Sequence, residues 1–322
     1  MQVSKQALYI LVEGEDNSPE LAFFKRSIRK IITDKGLSII PNVIEVGSSS
    51  AFASMAQLGY RHSKIHQSIP VLAIADSDYR THLAKQSEPN HKLISDKKPK
   101  ILYWDRHEWE NYLLEETDFI AAWINQMPVK KGTALSNRAK CYRKIEKQAS
   151  QIILDNCLEQ YFRQSVKAEY WECLKFNLAI QIKKYPSIKK PVDFDHKTIT
   201  QVKEWFLNEA VKSERVVKLK PKPPHLFDEI MTEIPWETWL NQPHLIQFNK
   251  AKQRFQGKEA FNQLCQCIQD EFGIHNFEKE LLIQEMLGNL ATNSSSIIFM
   301  DLQNLLLSEL ANVTYDQGSF LK

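Results

Sequence analysis

Residues 11–25, LVEGEDNSPELAFFK, decide the fold. The stretch joins the end of an apolar run, residues 7–12, to a helical pattern, with Glu13, Gly14, Glu15 and Asp16 between them. A short apolar run bounded by turn formers reads as a buried strand, so the acidic residues stand at a strand's carboxyl end. Ser18 and Pro19 then have the chemistry of an N-cap and a first helical residue. Leu21, Phe24, Ile28, Ile31 and Ile32 follow at helical spacing until Gly36.

The alternation continues to about residue 114. Residues 38–46 read as a second strand, 51–61 as a second helix, and 69–75 (IPVLAIA) as a strand buried on both faces of a parallel sheet. That run ends on Asp76-Ser77-Asp78. Residues 80–100 are polar and are expected to loop out before a short strand at 101–104 and a helix at 108–114. Strands alternating with helices predict an α/β domain with a mainly parallel, Rossmann-like sheet over residues 1–118. Beyond it helical segments dominate, at 119–126, 136–162, 168–184, 198–211 and 257–272, so residues 119–322 are expected to form a mostly α-helical region for substrate binding, dimerisation or both. Residues 218–224 (KLKPKPP) read as a stiff, solvated linker.

Composition narrows the class. The 322 residues are 43% hydrophobic and 25% charged, which suits a globular chain and argues against wholesale disorder. No basic-then-apolar leader opens the sequence and no apolar run reaches the roughly 18 residues that span a bilayer, so a cytoplasmic protein without a membrane partner is expected. Five scattered cysteines (Cys141, Cys157, Cys173, Cys265, Cys267) fit reduced thiols better than a disulfide framework. Cys265-x-Cys267 has no matching second pair, so packing is the better reading than zinc. A net charge of +3 neither requires nor excludes an acidic partner.

The chemistry lies in the acidic strand ends. In an open parallel sheet, ligands bind beyond the carboxyl ends of the strands where the topology changes direction. Glu13 ends the first strand and Asp76 and Asp78 end the third, so adjacency of those strands would gather three carboxylates. With the backbone extended, the spacing of Asp-x-Asp points both side chains to one side. Mg2+, or Mn2+ in its place, takes hard oxygen ligands and leaves positions open for water and phosphate. Such a site suits phosphodiester cleavage. The alternative readings are a surface turn at Glu13-Gly14 and a turn with helix cap at Asp76–Asp78.

Taken together, Val12-Glu13-Gly14 before a helix and Asp76-Ser77-Asp78 after a later apolar strand resemble the Toprim domain of topoisomerases, primases and overcoming-lysogenization-defect nucleases. Residues 104–114, WDRHEWENYLL, are similar to the H-[DE]-x-E-N-Y-L-L signature of the DUF4435 branch, which includes the Toprim effector of PARIS anti-phage defence. The resemblance covers roughly the first 115 residues, with a weaker match at residues 255–259. It implies a Toprim catalytic domain and a metal-dependent endonuclease acting on RNA such as tRNA, or on DNA. It further implies a toxic effector of abortive infection, a separate ABC/AAA-type ATPase partner and an active homodimer. Nothing in the sequence matches the G-x-x-x-x-G-K-[ST] nucleotide loop, so ATPase activity would have to come from that partner.

On this resemblance Glu13, Asp76 and Asp78 would hold metal. The family's second acidic position falls on Asn17, but a three-residue insertion would align Glu20 with it; Glu20 is then a metal ligand, or else a carboxylate stabilising the start of a helix. Glu110 would be a second-metal ligand or water-orienting base, sharing a helix side with His107, against the alternative of a solvated or salt-bridged glutamate. His107 reads as a cap or hydrogen-bond partner, or as a donor to phosphate. Lys258 would approach a scissile phosphate. Two basic stretches could follow a nucleic-acid backbone: Lys130, Lys131, Arg138, Arg143 and Lys144 in one, Lys183 and Lys184 in the other, with solvated faces as the alternative. Two rival functions are a non-catalytic module docking on an ATPase, and Mg2+-dependent phosphotransfer.

Overall fold

A computed structural model of the chain describes residues 6–14, 18–48, 51–52, 54–55, 71–81, 85, 100–126, 146–182, 186–212, 216, 230–272, 274 and 277–315, the side chains of 6, 146, 147 and 311–315 excepted. By the density of its internal contacts the chain divides into two compact units. One holds residues 1–77, 85–112 and 278–322, the other residues 78–84 and 113–277.

The first unit is built on four parallel strands, β1 (Gln6–Glu13), β2 (Ile39–Val46), β3 (Val71–Ala75) and β4 (Lys100–Tyr103), in the order β2-β1-β3-β4. Every residue of β3 is buried, as its unbroken apolar run requires of a strand covered on both faces. β2 lies at an edge, where Pro41 can lack an N–H without breaking the ladder and Ile40 can be half exposed. Leu11, Val46, Val71, Ala73 and Ala75 pack with Phe52 on one face of the sheet. Between β1 and β2 runs α1 (Pro19–Asp34), which buries Phe23, Phe24, Ile28, Ile31 and Ile32. Ser18 caps it by accepting the Leu21 N–H at 3.3 Å, and Gly36 ends it at φ +62°, a backbone state that costs a glycine little. Phe52, Ser54 and Met55 are helical, and the rest of the expected second helix lies outside the described residues.

After β4 comes the short α2 (Glu110–Leu114), and α3 (Thr117–Gln126) follows. The second unit is organised by α4 (Glu146–Ile182), a single helix of 37 residues where the sequence reading expected two, broken near 163–167. Arg163, Gln164, Ser165 and Lys167 in that stretch are polar. Yet Leu154, Leu158, Phe162, Val166, Tyr170, Leu174, Leu178 and Ile182 are buried at every fourth residue straight through it. Four residues turn a helix by roughly 40° more than a full circle, so this stripe spirals around the axis. Different neighbours therefore cover it: α3, then α6 (Trp236–Asn241), α7 (Phe248–Arg254) and α8 (Gly257–Phe272). α5 (Ile199–Ala210) starts from a capping box formed by Thr198 and Gln201. Phe255, fully buried, is enclosed by Trp236, Trp239 and Phe162 with ring centroids 5.2–5.8 Å away.

The last two helices, α9 (Lys279–Leu290) and α10 (Ile297–Tyr315), belong to the first unit and pack on α1. Leu282, Met286, Leu287, Phe299, Leu302 and Leu306 are buried and form their apolar faces. No helix among the described residues is long and apolar enough to cross a membrane.

Candidate metal centre at the carboxyl edge of the sheet

The strand order makes the site. From β1 the chain moves outward to β2, then returns across β1 to β3 and β4, so its direction reverses between β1 and β3. Ligands in such sheets bind at this switch point. β1 and β3 pair in parallel with Val12 opposite Ile74; one residue further, Glu13 is level with Ala75, and Asp76 follows at once. Glu13 and Asp76 thus end neighbouring strands at one edge, as the sequence reading required of them.

Around these two the local structure is specific. Gly14 has φ +149°, and a Cβ there would collide with a carboxylate oxygen of Glu45 and stand 3.2 Å from its Cδ. Only a glycine lets the chain leave β1 against this side chain. Glu45, opposite Val12 in β2, projects by strand alternation from the face opposite that of Glu13 and accepts the Ser18 hydroxyl, so it is tied to the start of α1. Sequence reading missed Glu45. Its place two residues before Gly47, at the end of an apolar run, was the available signal.

Glu20 sits in the first turn of α1, and its Oε2 is buried with no hydrogen-bond partner among the described residues. A buried carboxylate oxygen without a donor is costly, and a cation is one way of meeting that cost. Carboxylate oxygens such as those of Glu13, Glu20 and Asp76 suit Mg2+ or Mn2+ better than a soft metal, although the structure does not bring ligand atoms of these three within 4.8 Å of one another.

Beyond β3, the expectation of an extended Asp-x-Asp is corrected. The strand stops at Ala75; Ser77 is fully buried with its hydroxyl donating to the Trp104 carbonyl, and Asp78 turns into the left-handed region at φ +47°. Aspartate tolerates that region better than most residues because its short side chain can bond locally. The Asp78 carboxylate accepts from Arg80 at 2.7 Å. Asp78 belongs to the second unit, where the segment it opens is fastened to α4. Tyr79 donates its hydroxyl to Glu169 and receives the Asn177 side-chain N–H on its carbonyl at 2.9 Å, and Gln256 donates to the Tyr79 hydroxyl at 3.0 Å. Burial first, then the Glu169 carboxylate, pushes the Tyr79 phenol well above its ordinary pKa, so it stays a donor at any physiological pH.

Asp76 Oδ1 accepts the Trp109 backbone N–H at 3.2 Å and so ties the end of β3 to the turn before α2. Asn111 Oδ1 accepts the Glu108 N–H at 2.7 Å. α2 begins only at Glu110, so His107 precedes the helix and does not share with Glu110 the helix side that the sequence reading expected. His107 is buried; Glu110 is half-buried in the first turn. Within the same unit Trp104 packs on Phe24 of α1 and edge-on to Tyr112, whose hydroxyl reaches Asp301 of α10 at 2.8 Å. The Asn111-Tyr112 part of the 104–114 motif thus has a structural role in packing and hydrogen bonding.

Lys258 is exposed in the first turn of α8, in the second unit. Lys130, Lys131, Arg138, Arg143, Lys144, Lys183 and Lys184 lie outside the described residues. No protein-family model and no curated protein matches the chain.

Proposed function

We propose that this protein is a metal-dependent endonuclease of the Toprim type, using Mg2+ or Mn2+ to cleave phosphodiester bonds in RNA such as tRNA, or in DNA. The observation carrying this reading is the pair Glu13 and Asp76, ending adjacent parallel strands at the switch point of the sheet, with a Glu20 carboxylate oxygen in the same unit buried without a donor among the described residues. In this reading Glu13, Asp76 and Glu20 hold the ion. Bound there, it would supply a polarised water and charge stabilisation for the leaving oxygen. Trp109 N–H orients Asp76, and Gly14 lets Glu13 stand at the edge without steric interference. Asp78, which the sequence reading also assigns to the metal, accepts from Arg80, and Asp78→Asn in a Mn2+ titration tests its part. Action as a toxic effector of anti-phage defence, with a separate ATPase and as a homodimer, completes the proposal on the strength of the motif resemblance.

The test is cleavage of tRNA, single-stranded DNA and plasmid by purified protein with and without Mg2+, alongside calorimetric titration with Mn2+. Glu13→Gln and Asp76→Asn should each remove the Mn2+ heat and metal-dependent cleavage while urea unfolding remains cooperative. If wild-type protein binds no Mn2+, the metal centre is refuted and a docking role on an ATPase takes its place. Binding without cleavage of any of the three substrates refutes the nuclease alone.

A further inference from the structure

Away from the carboxyl edge, the second unit holds an arrangement that the nuclease reading does not use. α4 and α8 pack side by side and leave between them an open groove of about 450 Å3. Cys157 and Gln160 of α4 and Gln263, Gln266, Cys267 and Asp270 of α8 are among its lining. Cys157 is half-buried and Cys267 is buried; neither is in a disulfide. The Cys157 sulfur lies 4.0 Å from the Gln263 carbonyl oxygen. Within α8 that carbonyl accepts the N–H four residues on, which is that of Cys267. Cys157 therefore rests against the turn from which the Cys267 side chain leaves. Cys265, two residues earlier, points roughly 200° away around the helix and cannot share a ligand or a bond with Cys267.

We propose that Cys157 and Cys267 form a redox-responsive dithiol that a peroxide closes into a disulfide, covalently joining α4 to α8. The two thiols are unequal. The hydrogen bond from the Cys267 S–H lowers the pKa of Cys157, outweighing burial and the carboxylates of Glu271 and Asp270, whereas the same bond and then burial raise that of Cys267. Cys157, open to the groove, is the nucleophile, and Cys267 resolves the reaction. The Cys157 thiolate attacks one peroxide oxygen; the O–O bond breaks, hydroxide leaves and takes up a proton as water, and a sulfenic acid remains on Cys157. The Cys267 sulfur then attacks that sulfur, forming the S–S bond and expelling a second water. Two thiols are oxidised by two electrons in total, and one hydrogen peroxide is reduced to two waters.

The experiment uses the full chain treated with equimolar hydrogen peroxide, followed by intact mass and non-reduced peptide mapping. The expected result is loss of two hydrogens, a Cys157–Cys267 cross-linked peptide, and reversal by dithiothreitol. Cys157→Ser and Cys267→Ser should each abolish the loss, and Cys265→Ser should not. In untreated wild-type protein, iodoacetamide at neutral pH should label Cys157 at least ten-fold faster than Cys267, a readout independent of whether any variant folds. Over-oxidation of Cys157 without a cross-link, a disulfide to Cys141 or Cys265, or equal labelling of the two thiols would overturn the assignment. Neither readout depends on nuclease activity.

Discussion

Gly14→Ala is the sharpest probe of how β1 ends. The wild-type backbone stands at φ +149°, which L side chains rarely adopt, and forcing one into such a region costs about 1–3 kcal/mol. The new methyl group would also meet Glu45, whose Cδ and Cγ stand 3.2 and 3.3 Å from the Cβ position. Glu45 must turn aside and release the Ser18 hydroxyl, a hydrogen bond to a charged acceptor worth about 1 kcal/mol net in this part-buried setting. Together these come to about 2–4 kcal/mol, a large share of the 5–15 kcal/mol typical of folded domains. Urea unfolding followed by fluorescence should show a lower midpoint with an unchanged slope. A Glu45→Ala background separates the two parts: the collision is gone there, so Gly14→Ala should cost about 1 kcal/mol less than in the wild type. A loss under about 0.5 kcal/mol in the wild-type background, or no coupling to Glu45, would refute the proposed close approach.

Two further outcomes concern the second unit. Phe255→Ala empties the space enclosed by Trp236, Trp239 and Phe162 and should cost about 3–5 kcal/mol in urea unfolding, the range for removing a fully buried phenylalanine; a cost under about 2 kcal/mol would mean that the rings collapse into the gap. Glu116 has its pKa raised from 4.5, by burial first and then by the carboxylates of Asp118 and Glu115. Its ionised form is therefore unfavourable in the folded chain above the folded pKa, and that penalty disappears below the unfolded value. Glu116→Gln should raise the thermal midpoint at pH 7, with the gain shrinking as pH falls and gone by about pH 4.5; a gain independent of pH would contradict the electrostatic cause.

The strands were legible because their signals are short-range. An apolar run as continuous as that of β3 has few alternatives, and Ser18-Pro19 announces a helix start through chemistry that acts within one turn. α4 was less legible, since a stripe repeating every fourth residue winds around the axis and gives little contrast between faces in any one window. Packing of α9 and α10 against α1 joins segments at least 245 positions apart in sequence, and no local pattern contains that information. At the site, strand order placed Glu13 and Asp76 as expected. The conformation of Asp78 was hidden because its left-handed turn is set by the fastening of Tyr79 to Glu169 and Asn177, about 90 to 100 residues downstream.

The carboxylates at the sheet edge differ in what they have to spare. Glu45 is engaged with the Ser18 hydroxyl and crowded by Gly14, and its placement follows from holding the β1–α1 turn against β2. Asp76 gives one oxygen to the Trp109 N–H, which fixes its direction and leaves its charge in place. One oxygen of Glu20, like one of Glu45, is buried with no hydrogen-bond partner among the described residues, in the first turn of a helix whose N-terminal dipole favours a negative charge but does not replace a missing hydrogen bond. A helix-start carboxylate serving stability alone gains most when its oxygens reach water or a backbone N–H. Burying one away from both carries a penalty that dipole stabilisation of about 0.3–1 kcal/mol does not offset. That imbalance is what supports the ligand role proposed for Glu20 beside Glu13 and Asp76, and an unchanged Mn2+ titration in Glu20→Gln would remove it.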